Sequence, residues 1–279
     1  MNDEFYIGWM QAAPDSFAKH VKKIVLLMGL LVVVLGIALA LQQRKFSNAL
    51  FEYGTLTEVT GIYQSYPVPS IKVISKTDAN GQVSYITMPL VGYGKFGAKG
   101  IIQKLEQEKG FKFHQHLLTV KGTLICNDGK SLLQIDGNDN PLVTVQTSMS
   151  PVKPIIQELG NTELIGEILD PKCYFGVMKP GHGKPHKDCA IRCIAGGISP
   201  VFYVRQLDAG PLYYLLLNEK GEPINDFVKD FVADPVKLQA RAIQYDDWII
   251  LFVDTNSKLQ RTGGLSWFKE NEELIYCKP

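Results

Sequence analysis

An all-β fold with short helices, carried behind one N-terminal transmembrane helix, is what this sequence predicts, and three observations predict it. Ile24–Leu41, IVLLMGLLVVVLGIALAL, runs for eighteen residues without a charged or strongly polar side chain. From Gly54 onward, short alternating or wholly apolar runs are separated by turn residues, the pattern of strands. The order of those runs is written twice: strand, loop, strand, strand, short helix, strand, strand. That order is the one of a five-stranded OB-like barrel, so two tandem OB-like barrels are expected.

At 1.5 Å per residue, Ile24–Leu41 makes about 27 Å of helix, enough to cross a bilayer core. A soluble helix would carry a polar face, and this stretch has none. Ala38-Leu39-Ala40 resembles a signal-peptidase site, but the apolar run is longer than the roughly 7–15 residues of a signal peptide. A retained anchor is the better fit. Lys19, Lys22 and Lys23 precede the span, and Arg44 and Lys45 follow it. The small excess before it predicts that residues 1–23 are a cytoplasmic tail and that the C-terminal part is periplasmic, on a bacterial inner membrane. Phe5, Tyr6, Trp9 and Phe17 in the tail suit rings held at headgroup level.

The first barrel is expected over residues 54–145. Gly54–Tyr63 is its opening strand, followed by the turn Tyr66-Pro67-Val68-Pro69 and strands at Ile71–Ser75 and Val83–Pro89. Lys99–Lys109 reads as a helix, and His116–Gly122, a turn at Asn127-Asp128-Gly129 and Leu132–Asp136 close the unit. Pro151–Pro154 marks a junction. The second barrel, residues 160–258, opens with Thr162–Leu169 and continues with Val201–Val204, Leu212–Leu217, a short helix over Asn225–Val232, Val236–Ala242 and Trp248–Asp254. Residues 259–279 form a tail. The competing architecture is one β-sandwich whose strands resemble each other by chance.

The chain is 46% hydrophobic and 20% charged with a net charge of +1. That is ordinary globular composition, and without a basic stripe it gives no electrostatic case for nucleic acid as a partner. No Gly-x-Ser-x-Gly, His-Glu-x-x-His or paired-carboxylate pattern points to a hydrolase, and nothing else marks the chain as an enzyme. Gly92–Gly100 is glycine-rich but lacks phosphate-loop spacing, so it is expected to be a barrel loop.

The second barrel's first connection concentrates thiols and imidazoles: Cys173, His182, His186, Cys189 and Cys193. Pro185 suits the first position of a helix and Gly196-Gly197 its end, which predicts a helix over His186–Ala195. On it, His186, Cys189 and Cys193 fall at i, i+3 and i+7, one stripe. Cys189 and Cys193 can then offer two sulfurs to one metal, with Cys173 or His182 arriving from the preceding loop. Gly176, Gly181 and Gly183 would let that loop fold back. Lys184, Lys187 and Arg192 beside the stripe favour thiolates.

The C-x3-C pair with nearby His and Met178 resembles copper-handling sites, those of Sco-type assembly factors and the dinuclear copper site of cytochrome oxidases. The resemblance implies soft-metal chemistry. The expectation is a membrane-anchored protein that holds copper, or otherwise zinc, as an accessory or assembly factor among the subunits of a larger membrane complex. Two alternatives use the same residues. A structural disulfide would pair Cys173 with Cys189 or Cys193, on a protein that docks partners through its loops. A thiol–disulfide oxidoreductase fits less well, because C-x3-C is not the C-x-x-C redox spacing. His114 and His116 alternate in an apparent strand and form a second, weaker metal candidate. Cys126 and Cys277 are isolated thiols.

Overall fold

The computed structural model describes residues 13–43, 49–77, 83–127, 129–135, 137, 141–147, 151–204, 212–256 and 259–262. Phe5, Tyr6, Trp9, Arg44, Lys45, Asp128, Asp136, Cys277 and nearly all of the 259–279 tail lie outside the described residues. The chain divides into two units, Met1–Ser47 and Asn48–Pro279.

The first unit is one helix, α1 (Asp15–Gln43), whose apolar portion Phe17–Leu41 has none of its most apolar window buried. It starts two turns before the apolar core. Asp15 complements the positive helix N-terminus, and the lysines that follow are good helix formers. The helix has the length and apolarity of a membrane anchor or a signal sequence.

The second unit contains two closed barrels. The first is built from β2 (Thr57–Gln64), β3 (Ser70–Thr77), β4 (Val83–Val91), β5 (Leu117–Asn127) and β6 (Lys130–Ile135), with α2 (Lys99–Lys109) between its third and fourth strands. The ring runs β2–β3–β4–β6–β5 and back to β2, and only the β4–β6 pairing is parallel. Two further strands add to β5: β1 (Leu50–Phe51) and β7 (Leu142–Gln146). The second ring uses β8 (Ile156–Leu169), β9 (Val201–Val204), β10 (Leu212–Asn218), β11 (Pro235–Tyr245) and β12 (Trp248–Val253). Helices α3 (Lys187–Ala195) and α4 (Asn225–Val228) lie in its connections, and β13 (Gln260–Arg261) extends β11. Its order, β8–β9–β10–β12–β11–β8 with β10–β12 parallel, repeats the first ring strand for strand. Leu132–Ile135 and Ile250–Val253 thus occupy the same closing position, which excludes the single sandwich.

Each barrel has its own core. In the first, Ile102 and Leu105 of α2 pack with Val59, Ile71, Phe113, Leu118 and Leu133. In the second, Ala190 and Ile194 of α3 pack with Ile168, Phe202, Leu216 and Leu251. A third cluster joins the barrels: Val68, Val91, Ile125 and Leu132 meet Phe175, Val201, Leu215, Trp248 and Ile250. β9, β10 and β12 are therefore covered on both faces, which is why VFYV, LYYLLL and WIILFV are continuous apolar runs. Polar bonds fix the join. Trp248 Nε1 donates to Thr87 O (3.0 Å), Thr87 N donates to Asp247 Oδ1 (3.0 Å), and the buried Lys72 pairs with Asp246 (2.6 Å). The glycine-rich loop after β4 packs on the end of α3, where Gly97 N donates to Gly196 O (3.0 Å). A Cβ on Gly97 or Gly196 would strike the opposite backbone.

Two details depart from the sequence expectation. β8 begins at Ile156 rather than Thr162, because it pairs with the whole length of β11 from Pro235 to Tyr245. Its first half is largely exposed and has no apolar alternation to announce a strand. His114 and His116 lie in the turn before β5, not in a strand, and Gln115 between them has φ 66°.

Candidate metal centre

The connection from β8 to β9 carries the site. Asp170 Oδ1 accepts the backbone N–H groups of Lys172 (2.9 Å) and Cys173 (3.4 Å), starting a single π-turn over Cys173–Val177. Gly181 then lies so close to the backbone of Cys173 and Tyr174 that no side chain would fit, and the chain folds back over the turn. A 3-10 turn, Lys184–His186, leads into α3, and Gly197 at φ 94° ends it. The loop is pinned to the barrel at two points. Gly183 N donates to Glu167 Oε1 (2.5 Å), and Lys187 pairs with Asp234 (3.1 Å), which also binds Lys184 and Arg261. Burial opposes ionisation of Asp234, yet these three cations hold its carboxyl well below the usual range.

Folding back brings together two overlapping trios. Ligand atoms of Cys173, His186 and Cys189 lie within 4.8 Å of one another, and so do those of Asp170, Cys173 and Cys193. The Sγ atoms of Cys173 and Cys189 are 3.7 Å apart. Two sulfurs about 2.3 Å from a tetrahedral ion would be separated by about 3.8 Å, so this pair stands at the edge length of a metal–thiolate tetrahedron. His186 is fully buried, with Nδ1 3.1 Å from Met178 Sδ and Nε2 3.6 Å from Asp170 Oδ2. Among the described residues, neither His186 Nε2 nor Asp170 Oδ2 has a hydrogen-bond partner. The two face each other at a separation too long for a hydrogen bond, and unsatisfied buried polar atoms are costly.

Two lysines set the electrostatics. Lys95, from the glycine-rich loop of the first barrel, donates Nζ to Cys189 Sγ (2.9 Å), and that bond raises its pKa. Lys172 is buried and donates to Gly92 O (2.8 Å) and Gly94 O (2.5 Å), while burial lowers its pKa. Interaction with Cys193, burial and the Asp170 charge all push the Cys173 thiol up, so without metal it is protonated. Metal binding must displace that proton.

The structure brings Cys173, His186 and Cys189 together, and Cys193 joins Cys173 in the second trio. Cys189 and Cys193 stand in different trios, whereas the helical stripe put both on one ion. His182 is in neither trio. It is exposed, and its ring packs at 6.0 Å from Tyr174 and 6.1 Å from Tyr203. Cys173, Cys189, Cys193 and Cys126 are all free thiols, so neither disulfide pairing is present. Cys126 Sγ accepts from Ser131 Oγ (3.4 Å) and belongs to no trio. His114 Nδ1 accepts from Ser65 N (3.2 Å), and among the described residues neither His114 nor His116 joins a ligand group. Asp170, Lys172 and Lys95 were not expected at the site. Asp170 and Lys172 sit beside Cys173 in sequence, but Lys95 comes from the other barrel.

No family matches the chain, and no curated protein matches it. Among solved structures, a deletion mutant of the single-stranded DNA-binding protein from Thermus aquaticus is similar over 82% of this chain and 93% of that chain, at 12% identity and a TM-score of 0.19. At that score the likeness carries no argument.

Proposed function

We propose that this chain is a membrane-anchored protein that binds a soft metal between its two barrels, with Cys173, Cys189 and His186 as ligands and copper(I) as the ion. The observation that carries this reading is the convergence of the three side chains, with the two sulfurs 3.7 Å apart. Two thiolates and an imidazole suit copper(I) or zinc. The Met178 thioether 3.1 Å from His186 adds a soft donor beside the site, which favours copper(I). Lys95 against Cys189 offsets thiolate charge. His182, exposed and packed beside Tyr174 and Tyr203, stands outside this ligand set.

In this reading α1 is a retained anchor and the lysines at its start keep the N-terminus cytoplasmic, so the barrels are periplasmic. Tethering a metal site to the membrane suits an accessory or assembly factor of a larger membrane complex. The test is metal analysis of the full chain, purified in detergent without chelator, beside a Cys173→Ser/Cys189→Ser variant. The wild type should retain copper and the variant should lose it while circular dichroism shows the strands intact. Zinc retained instead of copper would keep the site and change its ion. Equal metal content in the two proteins would overturn the proposal.

A further inference from the structure

We infer that the centre holds a second monovalent soft ion, bound by Cys193 and Cys173 with Asp170 alongside, so that the Cys173 thiolate bridges two metals. This rests on the metal reading above. The two trios share Cys173 and nothing else. Asp170 is fully buried, and among the described residues its Oδ2 has no hydrogen-bond partner, although its Oδ1 is committed to the backbone. An Asp170 carboxylate oxygen lies within 4.8 Å of the Cys173 and Cys193 sulfurs in this buried space, close enough for one ion to be shared by the three side chains.

As the two ions bind, the three thiols release their protons to solvent.

The experiment is anaerobic titration of the full chain in detergent with copper(I), read against a chromophoric copper(I) chelator and by native mass spectrometry. The wild type should bind two ions per chain. Cys193→Ser and Cys189→Ser should each bind one, and Cys173→Ser none, because it removes the shared ligand. Asp170→Asn, which keeps the backbone acceptor, should weaken the second ion alone and guards against misfolding of the cysteine variants. X-ray absorption should show a metal–metal shell in the wild type that is absent from Cys193→Ser. One ion per chain, unchanged in Cys193→Ser, would overturn the second position and leave the first standing. One zinc requiring all three cysteines would also overturn it. No bound ion would remove both proposals.

Discussion

The first barrel crosses from its first strand to its second in residues 65–69, whereas the second barrel spends residues 170–200 on the same connection. The rings are otherwise equivalent, down to the parallel pairing of third and fifth strands. The first barrel fills its open end with α2, an eleven-residue helix between its third and fourth strands. In the second barrel the equivalent helix, α4, has four residues, and α3 of the long connection supplies Ala190 and Ile194 to the core. A helix that plugs a barrel is held rigidly, so its other face can present Cys189 and Cys193 at fixed positions. The lengthened loop thus takes over a structural task in this fold while carrying the cysteine and histidine cluster.

The sharpest way to break the comparison is to remove one fully buried aromatic from each side. Phe113 belongs to the first barrel's core and Phe175 to the cluster joining the barrels. Either substitution by alanine should cost about 3–5 kcal/mol of stability. Thermal melts beside metal analysis should show Phe175→Ala losing bound metal while still folded, and Phe113→Ala retaining it. Equal metal content in both would mean that the site does not depend on the junction.

A smaller effect comes from Glu167, where burial pushes the carboxyl up to about 7, against opposing interactions with Gly183 N–H and His186. Its folded value lies above its unfolded value of about 4.5, so the native state binds the extra proton. Stability from this group is full below about pH 4.5 and is lost as pH rises through 7, by about 3 kcal/mol in all. Denaturant unfolding at several pH values should show this loss in the wild type and not in Glu167→Gln. A wild-type stability flat from pH 5 to 8 would contradict it.

The architecture was legible because strand order survives in the pattern of short runs, and because TVKGTL…LLQI in one half answers VKLQARA…ILFV in the other. The helix over the cysteines was legible from Pro185 and Gly196-Gly197. The first half of β8 was not, since its exposed residues owe their strand conformation to β11 rather than to their own alternation. At the site, helical spacing placed Cys189 and Cys193 together but could not show that Cys173 would belong with each of them in a separate trio. Lys95 was out of reach of any local pattern: it arrives from the other barrel, through a glycine-rich stretch that read only as a barrel loop.

Lys95 offers the next test of that junction. Lys95→Met keeps the length of the side chain and removes the charge beside Cys189, which should weaken metal binding about 10–100-fold, as for other groups behind a ligand. Competition against a chelator measures it, and an unchanged affinity would make the 2.9 Å contact incidental. The smallest effect is expected in the first barrel's own histidine and cysteine. His114→Ala and Cys126→Ala should leave metal stoichiometry unchanged, and a loss in either would place a ligand in the wrong barrel.

The most direct measurement is metal-edge X-ray absorption on the full chain, wild type beside Cys173→Ser. Sulfur scatterers at about 2.3 Å with a nitrogen near 2.0–2.1 Å are predicted in the wild type, and loss of the bound metal, and with it of the edge, in the variant. A first shell of oxygen and nitrogen alone, or a sulfur shell indifferent to Cys173, would contradict the account.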